Sequence, residues 1–378
     1  MENYITAPLT GRRSLMGLCF QGRRAGRLPL ATLLRAFGPH RAVFTVAFFL
    51  LVTVHCSLPT ASAAWSRQQS GTMAWLHAVY FLNQNTGWVA GSNGTLLFTN
   101  DGGGSWHKMR RPTEDALRDV YFSDEQNGWL VCDREVFELK TNDEPQTYLL
   151  RTTDGGATWR RIDLSDAHTR VVRAVFRGQG RGWTFGEAGA LYATNDGGAS
   201  WVRQTLPTKH LLLGGAFMDD SHGWLVGAGA TILQTSDGGE TWRSGLVRGE
   251  QHLRFTAASF VESRLGWAVG AEGQVFATTD GGRIWFPQAS GVSADLLDVK
   301  FVNAAEGWAT GAEGTLLRTT DGGAHWASER SGTALPLERI CFTDRGHGWA
   351  VGFGGTIISY SSGSSFPPAP QLNQRTAR

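Results

Sequence analysis

From residue 76 onward, apolar and polar positions recur with a long period rather than at the spacing of a helix. The dipeptide Gly-Trp places its tryptophan at 88, 129, 183, 224, 267, 308 and 349, at spacings of 41, 54, 41, 43, 41 and 41. Seven residues before each stands a phenylalanine, at 81, 122, 176, 217, 260, 301 and 342. Five residues earlier again comes another apolar residue: Leu76, Leu117, Val171, Leu212, Phe255, Leu296 and Leu337. A period of this length marks a repeat architecture. Each unit predicts four short strands: the Leu-to-Phe run, Gly-Trp-Ala-Val-Gly, Gly-Thr-Leu-Leu-x-Thr-Thr, and a strand opening at a second tryptophan. The strands are apolar on both faces, as expected where neighbouring sheets cover each sheet twice. The fold predicted is all-β, a seven-bladed β-propeller of four-stranded antiparallel blades.

Turn chemistry supports this reading. Strands two and three are joined by Gly-x-x-Gly, as in Gly311-Ala312-Glu313-Gly314, where glycine permits positive φ. Strands three and four are joined by Asp-Gly-Gly-x-x-Trp, the Asp box, beginning at Asp101, Asp154, Asp196, Asp237, Asp280 and Asp321. A short hairpin of this kind uses a carboxylate to accept backbone N–H bonds, glycines for tight dihedrals and an aromatic ring to pin it to the sheet. These six aspartates are therefore read as structural.

The register also shows how the circle closes. Each Asp-box tryptophan precedes the next strand-one phenylalanine by 16 to 18 residues, and Trp65 precedes Phe81 by 16. Trp65 thus stands where an Asp-box tryptophan is missing. The last unit ends in a degenerate box, Ser361 to Phe366, before a proline-rich tail. The N-terminal strand, about 65–69, is expected to join the C-terminal blade and so remove an open seam of unpaired edges.

Charge alters the picture only when it is divided along the chain. The formal net charge of +2 includes seven arginines and one acid in residues 1–63; the remainder holds 28 basic and 32 acidic residues, a net of −4. Such a body has no electrostatic footprint for nucleic acid. Residues 1–63 read as a targeting segment, with an apolar run over 42–54 behind Arg41 and a small-residue site at Ala61-Ser62-Ala63. A cleaved signal peptide is expected, with an uncleaved anchor as the alternative, since the run falls short of the ~20 residues of a spanning helix. The chain is accordingly read as exported, to a periplasm, thylakoid lumen or extracellular space. The domain reading is targeting segment 1–63, propeller 64–366 and tail 367–378. Cys132 and Cys341, on strands of different blades, are read as single thiols.

No motif carries catalytic chemistry. The Gly-x-x-Gly turns lack a following Lys-Ser/Thr and join two strands, so they are not phosphate loops. No metal spacing accompanies the aspartates or the scattered histidines, and no cofactor is implied. Asp boxes also occur in sialidases and other glycoside hydrolases. However, the Arg-Ile-Pro start of sialidases is missing, sialidases have six blades, and xyloglucanase-like enzymes need two propellers around a cleft. A glycan-binding or glycan-cleaving propeller remains the alternative to a binding scaffold. Asp119, Arg173, Asp298 and Arg339 share one strand-one position in blades two, three, six and seven, which predicts Asp–Arg pairs between neighbouring blades near the axis.

Departures from the repeat point to a partner surface. Blade two inserts 12 residues between Trp129 and Asp154, and Cys132 replaces the glycine of the other six blades. The insert, about 133–146, carries five acids and two bases and reads as an elongated hairpin. Strand two–three turns share a face with the blade connections, and four of those connections or their flanks are rich in base, including Arg118, Arg170, Arg173 and Arg254. The candidate partner-binding residues are Arg110, Arg111, Arg160, Arg161, Arg203, Arg243 and Arg248, with Trp75, the one tryptophan outside the repeat registers, on the same face.

The stretch Gly-Trp-Ala-Val-Gly-Ala-Glu-Gly-Gln-Val-Phe-Ala-Thr-Thr-Asp-Gly-Gly at 266–282, with its six relatives, resembles the photosystem II stability/assembly-factor family. The resemblance spans residues 65 to about 366. It implies an exported, non-catalytic propeller with an arginine-rich face, whose partner is a membrane-protein subunit bound during assembly; the chain itself is read as a monomer. On that implication the arginines at 110, 111, 160 and 161 are the carried-over candidates.

Overall fold

The computed structural model describes residues 64–362, apart from 136, 138, 140–143, 165–168 and 250–252. The leader 1–63 and the tail from 363, with the signal peptide and cleavage site placed there, lie outside the described residues, as does the tip of the blade-two insert. Seven sheets follow one another along the chain, each built on antiparallel strands in sequence order, with one strand added at the outer edge of blade five. Blade one comprises Leu76–Phe81, Gly87–Gly91, Leu96–Thr99 and His107–Lys108. Blade seven is the exception that closes the ring. Its strands Leu337–Asp344, His347–Gly352 and Thr356–Ser361 are completed by Ala64–Gln68, with Trp65 opposite Tyr360 and Gln68 opposite Ile357. The expected seam is thus found at the expected register.

Aromatic packing explains why the Phe and Gly-Trp positions are tied to one another. Each Gly-Trp ring lies flat on the phenylalanine of the following blade, as in Trp267 on Phe301 (3.5 Å, 5°) and Trp349 on Phe81 (3.5 Å, 7°). The Asp-box tryptophan meets the same phenylalanine edge-on, as Trp326 meets Phe301 (5.7 Å, 87°). Trp65 takes that place against Phe342 (5.9 Å, 90°). Stacked and edge-on pairs of this kind contribute beyond their buried area. The glycine before each tryptophan is required by the same contact: a Cβ at Gly307 would lie 2.6 Å from the Phe301 ring.

The Asp boxes have the bonding their sequence predicts. In blade one the Asp101 carboxylate accepts the Ser105 N–H (2.9 Å), the Ser105 hydroxyl (2.7 Å) and the Thr99 hydroxyl (2.8 Å). These bonds hold Asp101, Asp154, Asp196, Asp237 and Asp321 near a pKa of about 2, the last chiefly through the backbone and ring N–H of His325, and they lower that of Asp280. Boxes also link blades, since five of the seven Gly-Trp indoles donate to the next box, as Trp129 does to the Gly197 carbonyl (3.1 Å).

Two departures from a uniform repeat have local causes. Blade five gains a fifth strand: Leu246–Val247 runs parallel to Ile284–Gln288, its long outer strand, and covers that edge. In blade two the first hairpin runs on past the usual turn, with Leu117 opposite Cys132 and Ala116 opposite Asp133. Elsewhere that position is glycine because the chain bends under a carbonyl; a Cβ at Gly352 would lie 1.9 Å from the Pro336 oxygen. The extended pairing at Cys132 removes this restriction. Cys132 and Cys341 are both free thiols.

Candidate functional site

The innermost strand of every blade carries the same irregularity. Register shifts by one residue just after the first apolar position, between Leu76 and Ala78 in blade one and at the equivalent point in the other six. A bulge re-aims the extra side chain. The seven bulged residues, His77, Arg118, Val172, Leu213, Thr256, Leu297 and Glu338, all line one cavity of about 380 Å³. Arg170, Arg173, Arg254 and Arg339 reach the same cavity, with Glu187. The repeat thus builds a single axial mouth from one bulge per blade.

This mouth lies on the face of the blade connections and strand two–three turns. Gly94 of a two–three turn donates to the Asp115 carbonyl (2.8 Å) in the following connection, and Gly355 donates to that of Ala74 (2.7 Å). The described chain begins at Ala64, opposite Ser361, so both of its ends sit at the opposite, Asp-box face.

Carboxylates buried behind the mouth fix its arginines. Asp133, only 4% exposed at the base of the blade-two insert, accepts Arg118 Nε (2.9 Å) and both Arg170 Nε (3.1 Å) and Nη2 (2.5 Å). Arg170 also reaches Glu187 (3.3 Å), and its pKa is raised chiefly by the bond from Asp133. Arg173 faces Asp298 at 3.8 Å. This corrects the expected pairing of neighbouring blades: the observed partners come from blades three and six, because the axis is narrow enough for side chains to meet across it. Asp119 and Asp298 instead join neighbouring blades by accepting backbone N–H groups, from Ala174 (3.1 Å) and Ile340 (3.0 Å). Burial raises both acids, Asp119 to about 6, against the opposing pull of Arg173. His77 is held near 3, mainly by burial and secondarily by Arg118, and is therefore neutral.

Acids and arginines at the mouth nearly balance, so it presents oriented guanidinium forks rather than a large net field. Among the described residues no ion pair engages Arg254 or Arg339.

The candidates named from sequence take other places. Arg160, Arg203 and Arg243 lie on the outer strands of blades two, three and four, and Arg110 and Arg248 are exposed beyond outer strands. Arg111 is paired with Glu114. Arg161 is held by Asp163 (2.7 Å) and lies 4.0 Å over the Tyr148 ring. These residues follow the outer rim; only Trp75 adjoins the mouth, packing on His77 (5.2 Å). Arg118, Arg170, Arg173 and Arg254, read from sequence as part of a basic arc, and Arg339, read as a strand-one residue near the axis, meet at the mouth; all five lie within two residues of the first apolar position of strand one.

Seven blades, six Asp boxes and one arginine-lined axial mouth define an Asp-box propeller whose polar side chains gather on the face opposite the boxes. A family profile described as Photosynthesis system II assembly factor YCF48 matches residues 104–210, 200–288 and 286–361, and the chain belongs to that family. Among curated proteins no sequence matches. Of solved structures, YCF48 from Cyanidioschyzon merolae is similar at 21% identity and a TM-score of 0.65, covering 80% of this chain and 100% of that one. YCF48 bound to D1 peptide is similar at 22% and 0.64, covering 79% and 96%. A GH74 xyloglucanase from Xanthomonas campestris, at 14% and 0.60, covers 79% of this chain and 54% of its own. At these identities structural likeness shows a shared fold alone.

Proposed function

We propose that this chain is an exported, non-catalytic scaffold that holds an extended segment of a photosystem II membrane-protein subunit across the axial mouth during assembly. Family membership supports the assembly role, and the related structure bound to D1 peptide supports a membrane subunit as partner. The observation that carries the reading is the convergence of seven bulged residues and four further arginines on one mouth, two of those arginines without an ion pair among the described residues. Buried acids hold Arg118, Arg170 and Arg173 in place, and the guanidinium forks of Arg254 and Arg339 beside them suit carboxylate and backbone carbonyl groups of a peptide. The buried carboxylates Asp119 and Asp298 are occupied by backbone N–H groups, which favours binding over acid–base chemistry.

The outer-rim residues Arg110, Arg160, Arg203, Arg243 and Arg248 would add long-range attraction on approach. Export by a signal peptide cleaved after Ala63 would leave Ala64, the first residue of the closing strand, as the mature N-terminus. The test is co-purification from detergent-solubilised membranes using the wild type and Arg254→Glu/Arg339→Glu. The wild type should retain a photosystem II subunit and the double variant should lose it at an unchanged melting temperature. Equal retention by both would reject the mouth as the binding site.

A further inference from the structure

Exposed apolar side chains are concentrated beside the mouth. Of eight large hydrophobic residues exposed among the described residues, four come from loops around blade seven: Met73 (84%) and Trp75 (39%) from its connection to blade one, Leu335 (37%) from the connection out of blade six, and Phe353 (45%) from its own strand two–three turn. Three of them, Trp75, Phe353 and Leu335, are linked through two observed packings. The Trp75 and Phe353 rings meet edge-on at 5.4 Å, and the Phe353-Gly354-Gly355 turn has Leu335 and the 72–74 backbone against it. Scattered exposed hydrophobics need no explanation, but a contiguous shelf beside a polar cavity does.

The shelf is continuous with the mouth. Trp75 packs on His77, which lines the cavity. Its backbone is pinned independently, with the Trp75 N–H donating to Ser92 Oγ (3.0 Å) and its carbonyl accepting the Ser92 N–H (2.8 Å). The ring is therefore presented by a fixed loop.

We infer that the shelf is a specificity pocket for the same partner: it takes a large apolar side chain of an extended peptide whose carboxylate is held by Arg254 and Arg339. This rests on the binding role proposed above. Charge and position select this occupant. Arg254 and Arg339, which no ion pair engages among the described residues, call for an anionic group, whereas residues 363–378 hold two arginines and no acidic side chain. That tail also starts from the Asp-box face, since the preceding strand ends at Ser361 opposite Ala64.

The experiment uses fluorescein-labelled peptides tiling the D1 subunit, and a second version of each binding tile with the large apolar residue nearest its carboxylate changed to alanine. Wild type should prefer the parent peptide by tenfold or more, the effect expected of burying one large apolar side chain. Trp75→Ala/Phe353→Ser should abolish that preference while binding the alanine version as wild type does. Arg254→Glu/Arg339→Glu should weaken both peptides. If the shelf variant binds both peptides as wild type does, and only the mouth variant fails, the inference is overturned while the mouth reading stands. If no tile binds the wild type, both fall. If the chain sediments as a dimer that the shelf variant dissolves, the shelf is a self-association face and the inference is wrong. If deleting residues 363–378 creates the preference where wild type shows none, the tail is the occupant and the inference is equally wrong.

Discussion

Replacing Trp65 by alanine tests how the circle is held. Trp65 is half-buried in the outer strand of blade seven, edge-on to Phe342 (5.9 Å) and tilted against Tyr360 (5.4 Å). Its Nε1–H donates to Glu329 Oε2 of blade six at 2.9 Å. Truncating a fully buried tryptophan costs about 3–5 kcal/mol. Partial burial lowers this to roughly 2 kcal/mol, which already includes two ring contacts of ~0.5–1.5 kcal/mol each. For a domain of about 300 residues that corresponds to a fall in melting temperature of about 3 °C. Met73→Ala is the control: an apolar side chain 84% exposed on the opposite face, whose loss should change the melt by less than about 1 °C. Thermal unfolding followed by near-ultraviolet circular dichroism measures both. Equal melts for Trp65→Ala and wild type would refute the closing strand as a source of stability.

Three further outcomes follow from the same geometry. Gly352→Ala would drive a Cβ to 1.9 Å from the Pro336 carbonyl and should destabilise by about 1–3 kcal/mol in a denaturant melt, whereas Cys132→Ala in blade two, where the extended hairpin admits a side chain, should cost less. Asp119 binds its proton more tightly folded, at about 6, than unfolded. Its contribution is therefore full below about pH 4 and is lost as pH rises to about 6, on the order of 2–3 kcal/mol; Asp119→Asn, which keeps an acceptor for the Ala174 N–H, should melt with that slope removed. Asp133→Asn should lower affinity for a mouth-bound peptide severalfold, because Arg118 and Arg170 lose the charged partner that orients them, with titration calorimetry as the check.

The fold was legible because its signals are local and repeated. One Phe–Gly-Trp unit has little meaning, but seven in register specify blades, and the single tryptophan at 65 reveals the seam through spacing alone. The mouth was less legible because it is assembled at an axis. Arg173 and Asp298 come from blades three and six, and no local spacing says that they meet. Counting arginines by connection drew attention to Arg160, Arg203 and Arg243, which lie on outer strands, since such a count ignores distance from the axis. A radial rule does better: residues within two positions of the first strand-one apolar residue lie innermost, and that rule collects Arg118, Arg170, Arg173, Arg254 and Arg339. The bulge that turns Arg118 or Glu338 into the cavity has no sequence signature of its own, because the bulged position holds residues as different as His77, Leu213 and Thr256.

The most direct measurement is the binding of peptides tiling the D1 subunit to the purified chain, read by fluorescence anisotropy at low and moderate salt. Wild type should bind at least one tile saturably, and Arg254→Glu/Arg339→Glu should weaken that binding tenfold or more with an unchanged melt. Failure of every tile to bind, or equal binding by the double variant, would contradict a partner-binding axial mouth.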